Sequence, residues 1–448
     1  MTGIAGIEKP RASEEVEAML AQLHHRGAEG MEIFEQDSVT LGVVWSQSEE
    51  NLVQMMQKSG YVCDIAAKGQ FARAEERDGS LTLLRGKIGV VPLYYGRTAE
   101  GHLCFASEVK ALLPLTDKID ELNPASFFDG NKIESYSTLS VKEPVDWGVE
   151  EIAVELRDTL VDEVKKSLKQ KKSVGALLSG GLASSIIASI AHQHVDELRT
   201  YSIGLKDAGN LNAAREVAKN IKSNHSEVIV TQDDITEVLA DVVYHLESFD
   251  PILVRSGIMN FIAAREAAKD VNCLLMGDGA DELFGGYRHI KSMNHEAMAV
   301  EIVDLTSSLH NTILQSIDRS TAAHGLTPLL VFLTPDVVKL ALRIPARYKV
   351  YKGKGNWILR EAMRDYLPDK ILMRAEAEPT HDIEIGKMIA RLAGGSISDN
   401  EFERERELPN GWKLDTKEEL LYYRIFRMHF GELEDLSWMG RMKANWKS

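Results

Sequence analysis

The pattern of apolar and polar positions divides the chain into two parts. In the first 113 residues, short apolar stretches bounded by turn-forming residues predict strands around one acidic helix at 13–25. These strands are expected at residues 3–6, 39–45, 82–85, 93–95 and 102–106. The polar passage at 123–147 has few apolar repeats, so we expect it to join two domains.

From residue 149 onward the pattern changes. Apolar positions recur at helical spacing over 149–171, and short buried strands then alternate with helices. The predicted strands lie at 198–205, 226–231 and 271–276, and the predicted helices at 212–221, 235–246 and 258–269. This alternation is typical of βαβ units with a parallel sheet, in which ligands bind at the carboxyl ends of the strands. Residues 302–448 are predicted to be mostly helical.

The pattern at 174–188 predicts a strand, a Ser/Gly hinge and a helix. Gly180 and Gly181 allow the backbone to turn tightly and to approach an anion, and Ser184 and Ser185 stand where the helix begins, with free N–H groups. No Gly-Lys-Ser/Thr follows these glycines, so the loop is not the lysine-containing P-loop. The stretch predicts a polyphosphate-binding loop, and a plain glycine turn is the alternative.

A second polar group, at 277–287, follows the last predicted strand. Asp278, Asp281 and Glu282 would face the same crevice as the phosphate loop, because the carboxyl ends of parallel strands share one edge of the sheet. Carboxylate oxygens are suitable ligands for Mg²⁺ on a polyphosphate. The alternative is a helix N-terminus that carries acids because the helix dipole favours them.

Composition narrows the possible partners. A chain of 448 residues should hold two or three domains, and a formal charge of −16 argues against nucleic acid or an anionic membrane as a partner. The three cysteines are too sparse for a zinc site or a redox pair, so we expect them to be small buried residues in a reducing compartment. With no apolar run of signal-peptide or membrane-span length, the protein is predicted to be cytoplasmic.

Taken together, these motifs resemble those of the glutamine-hydrolysing asparagine synthetases over nearly the whole chain. The resemblance includes Leu178-Ser-Gly-Gly181 and Gly277-Asp-Gly-Ala-Asp-Glu-Leu-Phe-Gly-Gly-Tyr287. The other matching stretches are 1–7, 23–27, 92–96, 105–112, 201–205, 247–250, 318–325, 357–362 and 416–426.

The resemblance implies an α/β fold. A reduced N-terminal-nucleophile glutaminase-like α+β domain at 1–135 would be joined by a linker at 136–147 to an ATP-pyrophosphatase domain at 148–448. The second domain, of the adenine nucleotide alpha hydrolase type, would have a parallel sheet and a helical C-terminal part.

The resemblance also assigns roles to residues. Asp278 matches the acidic residue that acts as base toward ammonia, Asp281 matches a metal ligand, and Thr2 takes the position of the glutaminase nucleophile. The implied nucleotide-binding residues are Leu178, Ser179, Gly180, Gly181, Ser184, Ser185, Ile203, Met276 and Gly277.

The glutaminase chemistry departs from the family pattern. The family has a cysteine where this chain has Thr2, and its oxyanion-hole motif, Asn-Gly-Glu-Ile-Tyr-Asn, has no counterpart at 46–79. A terminal threonine can act as a nucleophile, but loss of even one oxyanion donor costs roughly a hundred- to a thousandfold in rate. We therefore expect the N-terminal domain to be non-hydrolytic, with a structural or docking role.

The synthetase chemistry also departs. A metal-binding aspartate of the family is Ala183, an acidic residue of the family is Thr334, and the expected lysine two residues after Arg374 is Glu376. Met276 stands where the family usually has serine. A single engineered change would not produce all these differences, so they indicate natural divergence.

Two functions follow from these observations. The first is a pseudoenzyme, a regulatory paralogue that binds ATP or AMP, with Mg²⁺ binding weak or lost. The alternative is an ATP-dependent ligase that adenylates aspartate and transfers ammonia to it. Lys352, Lys354 or Lys387 could supply a missing cation, although solvated surface lysines are the more common case. Family pairing also implies a homodimer or another protein partner.

Overall fold

The structure, a computed structural model, describes residues 1–46, 49–169, 173–374 and 380–442. The N-terminal half is built from strands, with helices α1 (Ser13–Ala21) and α2 (Glu50–Ser59) beside them. The strands of this half are β1 (Thr2–Ile7), β2 (Gly30–Glu35), β3 (Thr40–Trp45), β4 (Tyr61–Ala67), β5 (Gln70–Arg77), β6 (Ser80–Arg85), β7 (Tyr94–Arg97), β8 (Leu103–Ala106), β9 (Ile119–Glu121), β10 (Ser126–Phe128) and β11 (Ile133–Ser135).

These strands form two antiparallel sheets. The first has the order β2-β3-β1-β8-β7-β9 and the second has the order β11-β10-β6-β5-β4. Ile4 and Val43 of the first sheet share one apolar cluster with Leu81 and Leu83 of the second, as in sheets packed face to face. Strand β1 is buried along its whole length because it lies inside the first sheet.

The C-terminal half contains a five-stranded parallel sheet of order β14-β13-β12-β15-β16. Its strands are β12 (Val174–Leu177), β13 (Arg199–Leu205), β14 (Asn224–Val230), β15 (Cys273–Met276) and β16 (Thr327–Leu330). The helices are α3 (Val149–Leu168), α4 (Leu182–His192), α5 (Gly209–Ile221), α6 (Gln232–Leu246), α7 (Pro251–Ala267), α8 (Ala280–Phe284), α9 (His295–Ser307), α10 (Ile313–Ala322), α11 (Pro335–Ala341), α12 (Ala346–Lys349), α13 (Trp357–Ala362), α14 (Asp369–Leu372), α15 (Thr380–Ser396), α16 (Asp399–Glu405) and α17 (Lys417–Phe430). Strand β15 is apolar and buried throughout, as expected for a parallel strand covered on both faces.

Aromatic packing joins the end of the described chain to both halves. The ring of Trp438 lies 6.3 Å from Tyr94 on β7 and 6.5 Å from Phe426 on α17. Close by, the backbone N–H of Met442 donates to the carboxylate of Asp250 at 3.1 Å, and Asp250 also caps the N-terminus of α7. The last described residues are therefore part of the core shared by the two halves.

The β4–β5 hairpin makes a second contact between the halves. At its tip Gly69 has a φ of +78°, and a Cβ there would lie 2.4 Å from the ring of Pro335. The next residue, Gln70, donates from its side chain to the carbonyl of Leu330 at 3.0 Å. The hairpin thus covers β16, the edge strand of the parallel sheet.

The predicted strands and helices of the parallel sheet are present, with boundaries that differ by a few residues. Other differences are larger. Strands β2 and β9 are not predicted, and β10 and β11 lie in the passage at 123–147 that is expected to join two domains. Residues 46–79, for which no element is predicted, hold α2, β4 and β5, and β16 lies within a stretch predicted to be mostly helical. A four-residue edge strand that contains Pro328 is too short to show a period in the sequence.

Three further expectations concern the chain as a whole. The three cysteines are buried, as predicted, and have free thiols. No helix in the described ranges is long and apolar enough to cross a membrane. The last strand of the N-terminal half ends at Ser135 and α3 begins at Val149.

Candidate active site

The two polar motifs meet at the carboxyl edge of the parallel sheet. Strands β12 and β15 pair directly, with Gly175 opposite Leu274, so the loops that follow them are neighbours. A Cβ on Gly277 would lie 2.5 Å from the backbone nitrogen of Ser184, which leaves room for glycine alone. The structure brings the phosphate loop and the acidic turn side by side, as predicted.

Hydroxyl groups hold the phosphate loop in shape. The Ser184 hydroxyl accepts from the backbone N–H of Ser179 at 3.2 Å, and the Ser185 hydroxyl donates to the carbonyl of Gly181 at 2.6 Å. Gly180 has a φ of +80°, and a Cβ there would meet the carbonyl of Asn210 at 2.4 Å. This narrow turn leads into α4, whose first backbone N–H groups have no partner inside the helix and are suited to an anion.

A cavity of about 580 Å³ lies at this edge of the sheet. Among the residues predicted as functional, those that line it are Ser179, Gly180, Gly181, Ser184, Ser185, Gly277, Asp278, Asp281 and Glu282. Other lining residues were not predicted as ligand-binding groups, and they include Asn210, Asn260, Tyr287, Asn356, Arg360 and Arg374. Tyr287 ends the acidic motif at 277–287 and Arg360 lies in the matching stretch 357–362, whereas the others are single polar residues on elements remote in sequence, which no local motif signals.

Three residues predicted to bind nucleotide do not line the cavity. Leu178 and Met276 lie in the core around the parallel sheet, and Ile203 packs against the apolar cluster shared with the N-terminal half. Alternation along each strand turns these side chains toward the packed layers. Ile203 acts on the site through its carbonyl, which accepts from the side chain of Asn210 at 3.0 Å.

The acidic turn carries a buried, hydrogen-bonded carboxyl group. Glu282 is 3% exposed and accepts from the hydroxyl of Tyr287 at 2.5 Å. Burial, and then the charge of Asp281, raise the pKa of Glu282 to about 7. Asp281 itself accepts from the side-chain amide of Asn356 at 2.7 Å.

The donor set does not fit a metal held by the protein. Within the described ranges, no group of three or more histidine, cysteine or carboxylate side chains is placed to hold a metal ion. Ala183 contributes only a methyl group to the cavity wall, and one oxygen of Asp281 is engaged by an amide donor. The described residues therefore do not form a Mg²⁺ site by themselves.

Two arginines supply the cations among the described residues that line the cavity. Arg360 is buried and donates to the carbonyls of Gly355 and Arg374, both at 3.2 Å. Arg374 lies at the mouth, beside Gly180. Lys352, Lys354 and Lys387 are not among the lining residues, and Lys387 pairs with Glu384 at 2.6 Å. Glu376 lies outside the described residues.

Thr2 lies away from this cavity and is 1% exposed. Its hydroxyl donates to Asp64 on β4 at 2.8 Å, and its carbonyl accepts from Arg26 at 3.1 Å. The N-terminal amine of Met1 donates to the hydroxyl of Ser46 at 2.7 Å. The hydroxyl at the predicted nucleophile position is thus committed to a buried carboxylate supplied by the segment that shows no resemblance.

Arg26 belongs to a set of buried charges between the two halves, which we name the interdomain ionic cluster. It comprises Arg26, Asp64, Glu108, Lys110, Glu247, Asp318 and Arg319. Arg26 pairs with Glu108 and Asp318, both at 2.8 Å, and with Asp64 at 2.9 Å. Burial alone would raise the pKa of Glu108, but His25, Lys110 and Arg319 outweigh it and hold that pKa well below its usual range.

Comparison with known proteins gives consistent results. The family model described as asparagine synthase matches residues 155–302 and 291–447, and the model described as glutamine amidotransferase domain matches residues 43–142. A probable glutamine-hydrolysing asparagine synthetase from Schizosaccharomyces pombe is 31% identical over 426 residues, covering 84% of this chain and 75% of its own. Asparagine synthetase B from Escherichia coli is 29% identical over 412 residues, covering 85% and 73%.

Among solved structures, an NH₃-dependent NAD synthetase from Campylobacter jejuni aligns with 65% of this chain and 99% of its own. Its TM-score is 0.28 at 13% identity, which is too low to support an inference.

Proposed function

Because the chain belongs to the asparagine synthase family, we propose that it is an adenine-nucleotide-binding member that has lost glutaminase activity and acts as a regulatory pseudoenzyme. Its relatives are named as glutamine-hydrolysing asparagine synthetases. This chain keeps some of the site residues that the resemblance assigns and replaces others.

One observation carries the proposal: the cavity keeps its phosphate loop but has a methyl group, from Ala183, beside that loop. The loop still offers backbone donors to a phosphate group. With a methyl group at Ala183 and one oxygen of Asp281 hydrogen-bonded to Asn356, the described part of the cavity offers fewer oxygen ligands for a metal on a polyphosphate. We infer that AMP, with one phosphate group, is a better ligand than MgATP.

Loss of glutaminase activity is supported at Thr2. The substrate has to reach a nucleophile, but the hydroxyl of Thr2 is buried and donates a hydrogen bond to Asp64. The carboxylate of Asp64 that accepts from this hydroxyl is also held by Arg26, so both groups are fixed inside the core. We propose that residues 1–135 form a docking domain, joined through a linker at 136–147 to a nucleotide-binding domain at 148–448.

The alternative is an ATP-dependent ligase that forms asparagine from aspartate and free ammonia. It is supported by the names of the relatives and by Asp278, Asp281 and Glu282, which line the cavity together. Under either proposal, the protein is cytoplasmic and forms a homodimer or binds another protein partner.

Titration calorimetry tests the two proposals. AMP, ATP and pyrophosphate are titrated with and without Mg²⁺, and asparagine formation is measured from aspartate, ammonia and MgATP. We expect AMP to bind, MgATP to bind more weakly, and no asparagine to form. Tight MgATP binding with steady asparagine formation would establish the ligase instead.

A further inference from the structure

Arg374 lies where the mouth of the cavity meets the phosphate loop. One nitrogen of its guanidinium donates to the carbonyl of Gly180 at 3.3 Å, and another forms an ion pair with Glu216 on α5. The side chain is 26% exposed, so it lines the cavity without being locked into the core.

The backbone of Arg374 is held by a different arginine. Arg360 is 3% exposed and donates to the carbonyls of Leu372 and Arg374. This fixes the chain that carries Arg374, while the Arg374 guanidinium has only one charged partner in the described part of the chain, Glu216. The anchor is rigid and the charged group can change partner.

Glu216 is the competing acceptor. It also pairs with Lys370 at 2.5 Å, and it is 32% exposed. Lys370, and then Arg374, lower its pKa, so that Glu216 is ionised at neutral pH. Because Lys370 does not line the cavity, it can continue to balance Glu216 when Arg374 turns toward a ligand.

The cavity needs such a cation for an anionic ligand. Asp278, Asp281 and Glu282 lie on the other side of the phosphate loop and repel phosphate. Arg360 is engaged by backbone carbonyls, which leaves Arg374 as the described guanidinium at the mouth. A planar guanidinium binds phosphate oxygens in a bidentate manner, through two hydrogen bonds. Its contact with the carbonyl of Gly180 is a single hydrogen bond.

We propose that Arg374 is a phosphate-binding residue, held by Glu216 in the ligand-free protein and transferred to the phosphate group when a nucleotide binds. This rests on the proposed function, since it assumes that the cavity takes a nucleotide. Glu216 then sets how strongly the phosphate group contributes to affinity, because each binding event has to break its ion pair with Arg374.

Calorimetry with adenosine, AMP and inorganic pyrophosphate tests the proposal. Arg374→Ala should weaken binding of AMP and pyrophosphate by about ten- to a hundredfold, the usual value of a charged hydrogen bond, and leave adenosine binding unchanged. Arg374→Lys should recover part of the loss. Glu216→Gln should strengthen AMP and pyrophosphate binding, up to about tenfold, because the competing charge is gone.

Arg364→Ala is the matched control. Arg364 lies on the nearby surface, pairs with Glu361 at 2.8 Å and does not line the cavity, so no ligand should be affected. If Arg374→Ala fails to fold, Arg374→Lys and Glu216→Gln give the same comparison.

The ligands separate the two proposals. If adenosine and AMP bind but the Arg374 and Glu216 variants bind AMP as the unaltered protein does, the role of Arg374 is overturned and nucleotide binding stands. If adenosine and AMP do not bind but pyrophosphate binds and is lost in Arg374→Ala, the proposed function is overturned and the role of Arg374 stands. Binding of none of the three overturns both.

Discussion

The cavity at the strand ends and the interdomain ionic cluster differ in how their charges are paired. In the cluster, Arg26 contacts three carboxylates within 3 Å, and all of these groups are buried. In the cavity, three acidic residues lie near a phosphate loop, and Arg374 reaches the mouth from a surface ion pair. One region is fixed by its own ion pairs, whereas in the other Arg374 is paired with Glu216 outside the cavity and not with the acids that line it.

The same difference explains which property of the molecule the family resemblance reflects. Matching stretches supply the cluster except for Asp64: 23–27 provides Arg26, 105–112 provides Glu108 and Lys110, 247–250 provides Glu247, and 318–325 provides Asp318 and Arg319. The departure at Ala183 lies in the cavity, and the one at Thr2 lies at the position that the resemblance assigns to the glutaminase nucleophile. Similarity in these stretches thus reflects how the two halves pack, while activity has to be judged at the cavity.

Arg26→Ala should have the largest effect, because it leaves Asp64, Glu108 and Asp318 buried without their shared partner. Removing one member of a buried pair costs about 3–5 kcal/mol, so we expect the free energy of unfolding to fall by that amount. Urea unfolding measures it. Arg364→Ala, which breaks an exposed pair, should cost less than about 1 kcal/mol. Equal losses would mean that the cluster has no special role.

Ala183→Asp together with Glu376→Lys should raise MgATP affinity on the order of a thousandfold, and each single change should do less. Removing one like-charge contact at about 4 Å accounts for roughly 4 kcal/mol at the effective dielectric of a protein surface. The position of Glu376 is taken from the resemblance alone. Calorimetry with MgATP is the measurement, and AMP affinity serves as the control. A single variant equal to the double one would contradict coupling through the same phosphates.

Glu282 should make the unaltered protein less stable as pH rises. Its pKa in the folded protein, about 7, lies above the usual 4.5, so between these values the folded state binds more protons than the unfolded state. The stabilisation is complete below pH 4.5 and is lost as pH rises through 7, by about 2–3 kcal/mol. Glu282→Gln should remove this loss, measured as urea midpoints at pH 5 and pH 8. An unchanged pH dependence would show that Glu282 titrates normally.

His245, beside the cluster, should act in the opposite direction. Burial, and then Lys110, lower its pKa to about 2 from the usual 6.5, and its ring lies 4.7 Å from that of His25. The unfolded state therefore gains a proton below pH 6.5 and the folded state does not, so stability falls by about 2 kcal/mol at pH 5. His245→Phe should lose less stability between pH 8 and pH 5. A larger loss in this variant would reverse the sign and refute the assignment.

Thr2→Ala should have the smallest effect. It removes the hydrogen bond to Asp64, which is worth about 1 kcal/mol, while Arg26 continues to pair with that carboxylate. No ammonia should be released from glutamine before or after the change, as checked by a coupled glutamate assay. Measurable turnover that disappears in Thr2→Ala would restore the glutaminase.

The parts of the site that the sequence predicts are contiguous motifs. Ser179, Gly180 and Asp281 sit in short runs whose residue types indicate their chemistry. Asn356 and Arg374 come from separate helices and loops, and their meeting at the cavity depends on the tertiary path of the chain. Leu178 and Ile203 were predicted as nucleotide-binding residues from the resemblance, but which face of a strand meets the ligand is decided by the layers packed on each side.

Prediction of the fold from local sequence patterns has the same limit. Strands followed by long amphipathic helices are predicted because each has its own period. Strand β16 has only four residues, and it contacts the β4–β5 hairpin across the interface between the halves. Asp64, which accepts a hydrogen bond from the hydroxyl of Thr2, belongs to this unpredicted hairpin.

The packing of Trp438 and Met442 has a consequence for how the protein is made. During synthesis the N-terminal half leaves the ribosome first, but Tyr94 and Asp250 gain their contacts with Trp438 and Met442 only after residue 442 has been added. Until then the growing chain exposes an incomplete apolar surface. Chains released before that point, by a premature stop or a stalled ribosome, should be recognised by chaperones and proteases.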